Sequence, residues 1–183
     1  MRDKQLVIFG FGGIAKEIAQ RADPFGVRIT ILKRTAPSEE MKWNVKQSSP
    51  AVVAESLKKA DYVVNALPCT SETEGFFNEE RLGLLKENCV FINIGRGKTV
   101  KEGVLTDILK EKKIKGAMLD VYEKEPLGGE SELWGLENAL VFPHVSCRTV
   151  EENERRTKLY FKQLEMFLEG KELLNVVDFK RGY

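Results

Sequence analysis

The chain contains a single histidine, His144, within the stretch VFPHVSC at residues 141–147. An imidazole has an unperturbed pKa of about 6.5, so it can give or take a proton near neutral pH. A lone histidine at the end of an apolar strand is also a common packed side chain. Whether His144 is a proton carrier therefore depends on which charged groups the rest of the sequence places beside it.

A glycine-rich turn, in VIFGFGGIAKEIA at residues 7–19, directly follows a predicted strand. Gly10 allows a tight turn, Gly12 lets a pyrophosphate approach the backbone, and the small Ala15 lets the next helix pack against the strand. The first turn of that helix offers N–H groups to phosphates. This context favours a dinucleotide site over a merely structural turn. The predicted contact residues are Gly10, Gly12, Gly13 and Ile14.

Two cations stand at the end of the second predicted strand. In NAD-binding proteins an Asp or Glu near this point usually binds the ribose 2′-hydroxyl, whereas this chain has Lys33, Arg34 and then Thr35. An ammonium and a guanidinium can clamp the 2′-phosphate of NADP. The sequence therefore favours NADP over NAD, and a solvated basic corner beside a strand end is the structural alternative.

Apolar runs that alternate with helical patterns predict the elements that must position these residues. Strands are predicted at 5–10, 27–32, 61–67, 88–94, 115–121 and 139–142, with a short strand at 43–45. Val, Ile and Phe crowd these runs with little polar alternation, as in strands that are covered on both faces. Strands alternating with helices predict an α/β fold with a doubly wound parallel sheet.

Local signals mark the ends of the predicted helices. Ser49 suits an N-cap and Pro50 the first helical position. Thr149 and Glu152 have the spacing of a capping box, and Gly170 suits the C-terminal end of the same helix.

The composition limits the classes of partner. Lys plus Arg number 29 and Asp plus Glu 28, a net charge of +1, which gives no electrostatic basis for binding nucleic acid or an anionic membrane. The apolar runs are shorter than the roughly 20 residues that a membrane span needs. Cys69, Cys89 and Cys147 form no C-x-x-C pair and suit reduced thiols. We therefore expect a cytoplasmic protein and no metal site.

Four further motifs follow the glycine turn in order: ADYVVNALPCTSETEGFFN, FINIGRGKTVKEGVL, GAMLDVYEKEPL and VFPHVS. With that turn they closely resemble the D-isomer-specific 2-hydroxyacid dehydrogenases, which include phosphoglycerate dehydrogenase and glyoxylate/hydroxypyruvate reductases. The resemblance extends from residue 4 almost to the C-terminus. It implies a Rossmann-type domain and hydride transfer between NAD(P)H and a 2-oxo acid or D-2-hydroxy acid.

The resemblance also implies roles for individual residues. The family's substrate arginine corresponds to Arg96, its acidic partner to Glu125 and its acid/base histidine to His144. Asp120 would face the nicotinamide carboxamide. The residues that would line the cofactor cleft are Pro68, Thr70 and Ile94.

The three implied catalytic groups suit the reduction of a 2-oxo acid. Arg96 offers a planar fork of donors to the substrate carboxylate and carbonyl. The oxygen that gains negative charge as hydride arrives needs a proton, which His144 can supply and take back in the reverse direction. A hydrogen bond that the imidazole donates to the Glu125 carboxylate would favour the protonated form of His144. We predict that these three side chains meet at the carboxyl ends of the strands.

The resemblance divides the chain into residues 1–148, a NAD(P)-binding Rossmann domain, and 149–183, a C-terminal helix and tail. In the family this helix packs on a further domain that precedes the glycine-turn strand and is absent from this sequence. Apolar residues of the helix would then lack part of their partner surface, which favours self-association, and the family tends to dimerise through its cofactor domain. We expect a homodimer.

Two functions follow from this interpretation. The first is the cofactor-binding portion of a dehydrogenase, which binds NADP(H) or NAD(H) but turns over 2-oxo acids poorly by itself. The second is a binding module that senses the dinucleotide, as some corepressors of this architecture do. Arg96, Glu125 and His144 favour the enzyme without excluding the sensor.

Overall fold

The computed structural model describes residues 1–37, 41–180 and 182. The chain divides into two compact units, Met1–Pro143 and His144–Tyr183. Each unit is described in its own right below.

The first unit is built on a seven-stranded sheet in which every pair of neighbours runs parallel. The strand order is β3-β2-β1-β4-β5-β6-β7. The strands are β1 (Gln5–Phe9), β2 (Arg28–Lys33), β3 (Asn44–Gln47), β4 (Tyr62–Asn65), β5 (Val90–Asn93), β6 (Gly116–Leu119) and β7 (Ala139–Val141). The chain leaves β1 in one direction and continues from β4 in the other, so the predicted doubly wound sheet is confirmed. A crevice at the carboxyl ends of β1 and β4 is where such sheets bind ligands.

Among the residues described, four α-helices connect these strands. They are α1 (Gly13–Ala22), α2 (Pro50–Lys59), α3 (Glu79–Leu82) and α4 (Glu102–Lys110). The predicted cap of α2 is confirmed, since Ser49 Oγ accepts a hydrogen bond from the N–H of Val52 at 3.4 Å and Pro50 opens the helix. The proline has no N–H to leave unpaired at that position.

Apolar side chains fill both faces of the sheet. On one face Phe9, Phe77 and Phe91 are almost fully buried and meet edge to face, with ring centroids about 5 Å apart. On the other face α1 packs closely through Ala15 and Ala19, both fully buried. The small side chain at position 15 therefore has the packing role that the sequence predicted.

The amino ends of three strands are tied together by one carboxylate. Asp61, which precedes β4, accepts hydrogen bonds from the N–H of Gln5 at 2.8 Å and from Lys86 Nζ at 3.0 Å. Asn88 Nδ2 lies 3.2 Å away. Burial opposes ionisation, but these donors outweigh it and lower the pKa of Asp61 to about 2. The network stabilises the sheet at the edge opposite the glycine turn.

The second unit contains one long helix, α5 (Glu152–Leu168). The predicted start at Thr149 is wrong: Glu151 occupies the N-cap position, and Thr149 accepts the N–H of Glu152 through its backbone carbonyl at 3.2 Å. The predicted C-terminal end is confirmed, because Gly170 has φ +64° and the N–H of Lys171 reaches the carbonyl of Met166 at 2.8 Å.

No helix in the described part of the chain is both long enough and apolar enough to cross a membrane. Several large apolar side chains of α5 are solvent-exposed. They are Tyr160, Phe161, Leu164, Phe167 and Leu168.

Candidate active site

The glycine turn lies at the carboxyl end of β1. Gly10 has φ +101°, and a Cβ atom there would stand 2.8 Å from the carbonyl oxygen of Ala66 in the segment after β4. Both its conformation and this close approach exclude a side chain. By contrast, no described heavy atom lies within 4 Å of a Cβ built at Gly12 or Gly13. The backbone is thus tight on the sheet side and open on the outer side.

The N-terminus of α1 is available to an anion. Gly12 occupies the N-cap position and brings no side-chain oxygen, and the first turn of α1 contains no acidic residue among those described. The exposed side chain of Ile14 follows. Backbone N–H groups at a helix N-terminus, with its partial positive charge, bind phosphate groups. The residues at this turn therefore fit a dinucleotide pyrophosphate.

The basic residues that follow β2 stand beside this turn. Lys33 ends β2, and its Nζ lies 5.6 Å from the centre of the Phe11 ring, over which Lys16 Nζ also lies at 5.0 Å. Arg34 Nη1 lies 3.5 Å from Glu72 Oε2 in the loop after β4. Thr35 is exposed next to Arg34. Positive charge is thus concentrated next to the glycine turn.

The loop that follows β4 is held by threonine hydroxyls. Thr73 Oγ1 donates to the carbonyl of Pro68 at 2.6 Å and accepts the N–H of Thr70 at 2.8 Å. Pro68 and Thr70 are both half-buried. These bonds fix a compact turn directly after Ala66, whose carbonyl lies against Gly10. That Pro68 and Thr70 line a cofactor cleft stays a prediction.

A buried amide network, which the sequence interpretation missed, lies beneath the crevice. Asn65 ends β4 and Asn93 ends β5, and both are almost fully buried. Asn65 Nδ2 donates to Asn93 Oδ1 at 2.9 Å and to Thr99 Oγ1 at 2.6 Å. Thr99 Oγ1 in turn donates to the carbonyl of Arg96 at 2.6 Å. The sequence contained a signal for this network, because an asparagine interrupts each of the two apolar runs near its C-terminal end.

Arg96 projects from the turn that this network holds. Its side chain is exposed, and Nη1 donates to the carbonyl of Gly95 at 2.7 Å. The next residue, Gly97, lies so close to the segment after β6 that a Cβ would stand 1.7 Å from the carbonyl oxygen of Tyr122. The glycine after the arginine is therefore required for contact between the turns that follow β5 and β6.

The segment after β6 carries the other candidate carboxylates. Asp120 is buried at the strand end, whereas the exposed Glu125 accepts the N–H of Tyr122 at 3.2 Å. The Tyr122 hydroxyl lies 2.7 Å from the carbonyl of Leu119, and it accepts the N–H of Phe142, after β7, at 3.0 Å. Burial raises the pKa of Tyr122 to about 12. Ile94, at the end of β5, donates its N–H to the carbonyl of Asn65 at 3.1 Å.

His144 is the first residue of the second unit. It is exposed and has φ +52°, in the left-handed region that non-glycine residues seldom adopt. The first unit brings Arg96 and Glu125 onto adjoining turns, and the meeting of all three side chains stays a prediction.

Residues 1–146 match the sequence model for the D-isomer specific 2-hydroxyacid dehydrogenase, NAD binding domain. The chain belongs to this dehydrogenase family. The resemblance in the motifs is thereby confirmed, and the glycine turn lies in a dinucleotide-binding domain whose cofactor is NADP or NAD.

Individual members of the 2-hydroxyacid dehydrogenase family are similar along most of the chain. Glyoxylate reductase of Pyrococcus furiosus is 41% identical over 167 residues, which are 91% of this chain and 49% of that protein. (S)-Sulfolactate dehydrogenase of Chromohalobacter salexigens is 35% identical over 150 residues, covering 82% of this chain and 48% of that protein. The chain thus spans about half the length of these relatives.

A solved structure of the family is also similar in fold. It is the NADPH-dependent glyoxylate/hydroxypyruvate reductase of Sinorhizobium meliloti, in complex with NADP and sulfate. The TM-score is 0.88 at 30% identity, and the alignment covers 99% of this chain and 57% of that one. This likeness confirms the Rossmann-type fold that the sequence predicted.

Proposed function

We propose that the chain is the cofactor-binding portion of an oxidoreductase that transfers hydride between NAD(P)H and a 2-oxo acid. The observation that carries this proposal is the open glycine turn at Gly12 and Gly13, which leads into the uncapped N-terminus of α1. This turn lies at the carboxyl end of β1. The strand order runs from β1 through β2 to β3 on one side and from β4 to β7 on the other, and parallel sheets bind ligands where the order reverses in this way. The activities of the relatives, glyoxylate reductase and sulfolactate dehydrogenase, support the same class of substrate.

NADP is the favoured cofactor. Lys33, Arg34 and Thr35 follow β2 where NAD-binding domains usually place an acid. The NADP-bound reductase of Sinorhizobium meliloti supports this preference. The remaining cleft residues are Pro68, Thr70, Ile94 and Asp120, with Asp120 facing the carboxamide of the nicotinamide.

Three residues act on the substrate, namely Arg96, Glu125 and His144. A nicotinamide held in the crevice would supply or accept the hydride. Arg96 binds the substrate carboxylate and polarises the carbonyl, as a fork of charged donors can do. His144 donates a proton to the carbonyl oxygen during reduction, and Glu125 stabilises the protonated imidazole. In the reverse direction His144 takes the hydroxyl proton.

Calorimetric titration with NADPH and NADH tests the carrying observation. The parent chain is expected to bind one dinucleotide per chain, and Gly12→Asp is expected to abolish binding because its carboxylate would meet the pyrophosphate. Gly129→Asp is the matched control, since the structure leaves equal space around both glycines. Equal affinity of the parent and Gly12→Asp would show that the site is elsewhere.

Homodimerisation in the cytoplasm completes the proposal. Exposed Tyr160, Phe161 and Phe167 support self-association, and the free thiols of Cys69, Cys89 and Cys147 support a reducing compartment. Sedimentation equilibrium tests the dimer: a single species with the mass of one chain at micromolar concentration would exclude it.

A further inference from the structure

An ion pair joins two segments of the proposed cofactor crevice. Arg34 is the first residue after β2, and Glu72 lies in the loop after β4 that also carries Pro68 and Thr70. Arg34 Nη1 and Glu72 Oε2 are 3.5 Å apart. The side chains are 46% and 68% exposed, so both charges remain accessible to a ligand in solution.

The strand order shows that this ion pair spans the carboxyl end of β1. β2 and β4 are the two neighbours of β1 in the sheet. An ion pair from the segment after β2 to the segment after β4 therefore crosses the carboxyl end of β1, where the glycine turn lies. Glu72 reaches a cation of the basic group Lys33–Arg34 from the opposite side of this turn.

We propose that Glu72 is a specificity-determining residue that competes with the adenosine 2′-phosphate of NADPH for Arg34. This inference rests on the proposed cofactor function. Carboxylate and phosphate are alternative partners of the same planar guanidinium. Binding of NADPH then requires Arg34 to exchange Glu72 for the 2′-phosphate, whereas NADH, which has only a 2′-hydroxyl, requires no such exchange. Glu72 thus lowers the preference for NADPH that Lys33 and Arg34 create.

The expected change in NADPH affinity follows from the solvent exposure of the Arg34–Glu72 ion pair. Exposed ion pairs are weak and screened by salt. Removing the competing carboxylate is therefore expected to tighten NADPH binding by about two- to fivefold, which is the range that exposed pairs cover. The affinity for NADH is expected to stay unchanged, and the gain for NADPH is expected to shrink in 0.5 M salt because screening removes the competition.

Glu72→Gln tests the proposal, with Glu74→Gln as the matched control. Glu74 is an exposed acid on the same loop, so its substitution changes the net charge equally without removing the Glu72 carboxylate that pairs with Arg34. The dissociation constants of NADPH and NADH are measured by calorimetry for both variants. They are also measured for Arg34→Ala and for Arg34→Ala combined with Glu72→Gln.

The supporting result is tighter NADPH binding in Glu72→Gln alone, which disappears when Arg34 is already alanine. An equal gain in Glu74→Gln, an unchanged NADPH/NADH ratio or weaker NADPH binding in Glu72→Gln would overturn the role of Glu72. A parent chain that binds neither dinucleotide would instead overturn the proposed function, and the inference with it. The two failures are therefore distinguishable.

Discussion

Asn65 Nδ2 lies 2.9 Å from Asn93 Oδ1, so the carboxyl ends of β4 and β5 are joined by a hydrogen bond between two buried amides. The same Asn65 nitrogen reaches Thr99 Oγ1, whose hydroxyl holds the carbonyl of Arg96. Buried polar groups are costly unless they are paired, and here each bond also fixes the arginine turn. The proposed substrate-binding group is therefore supported from below by the sheet.

Thr99→Val is expected to lower the free energy of unfolding by about 1–2 kcal/mol, because it leaves a buried amide donor and the carbonyl of Arg96 without their hydroxyl partner. Thr106→Val is the matched control. Thr106 is also buried, but its hydroxyl bonds only to the Glu102 carbonyl one turn earlier in α4 among the contacts described, so little change is expected. Urea unfolding measures the free energy of unfolding of both variants. An equal loss of stability in the two variants would show that the Asn65–Asn93–Thr99 network does not stabilise the chain beyond an ordinary buried hydroxyl.

Gly97→Ala is expected to destabilise the chain by about 3 kcal/mol or more, since the new methyl group would overlap the backbone of Tyr122. Gly103→Ala is the opposite case. It lies inside α4 with no described heavy atom within 4 Å of the added carbon, and alanine there is expected to stabilise by about 0.5–1 kcal/mol. Thermal unfolding measures whether each variant lowers or raises the stability of the chain. A mild effect at Gly97 would contradict the close contact of the two turns.

The pH dependence of stability is expected to report on Asp61. Its pKa is about 2 in the folded chain against an ordinary value of 3.8. A lowered carboxylate pKa contributes stability above the unfolded value that is lost as the pH falls from about 4 to about 2. Asp61→Asn is therefore expected to cost roughly 2 kcal/mol at pH 7 and much less at pH 2.

Urea unfolding across pH 2–7 measures the contribution of Asp61, with Asp107→Asn as the control. Asp107 is exposed on α4, so its variant is expected to follow the parent at each pH. If Asp61→Asn destabilised the chain equally at pH 7 and pH 2, the ionised carboxylate would not be the source of the stability.

Cofactor preference is expected to follow the charge after β2. Lys33→Asp combined with Arg34→Ala removes the cations and supplies an acceptor for a ribose 2′-hydroxyl, so preference should move toward NAD. The ratio of the NADPH and NADH dissociation constants measures the change. Lys58→Asp combined with Arg28→Ala, an equal charge change at the end of α2 and at the start of β2, is the control. An unchanged ratio in the first double variant would remove the argument for NADP.

His144→Gln is expected to abolish the slow reduction of glyoxylate that the parent chain supports, since a positioned acid/base group usually contributes about 10²- to 10⁴-fold to the rate. The affinity for NADPH is expected to stay unchanged, because the histidine acts on the substrate. Cys147→Ser, three residues further along the exposed segment, is the control. A His144→Gln variant that retained the parent rate would disprove the acid/base role.

Features that depend on residues close together in the sequence could be predicted from the sequence. The spacing of apolar runs predicted the seven strands, and the Ser49-Pro50 pair predicted the start of α2, because both express preferences of the local backbone. The start of α5 shows the limit of this reasoning. Thr149 and Glu152 have capping-box spacing, yet the N-cap is Glu151, two residues later, because the backbone carbonyl of Thr149 closes a preceding turn.

The sequence by itself determined the family, the parallel sheet and the glycine turn, since each depends on residue types at fixed local spacing. Only the tertiary structure decided the contacts between distant segments. It placed Asn65 on Asn93, Gly97 against Tyr122, and Glu72 beside Arg34. These partners are 25 or more residues apart, and which strand ends become neighbours depends on the packing of the whole sheet rather than on any local preference.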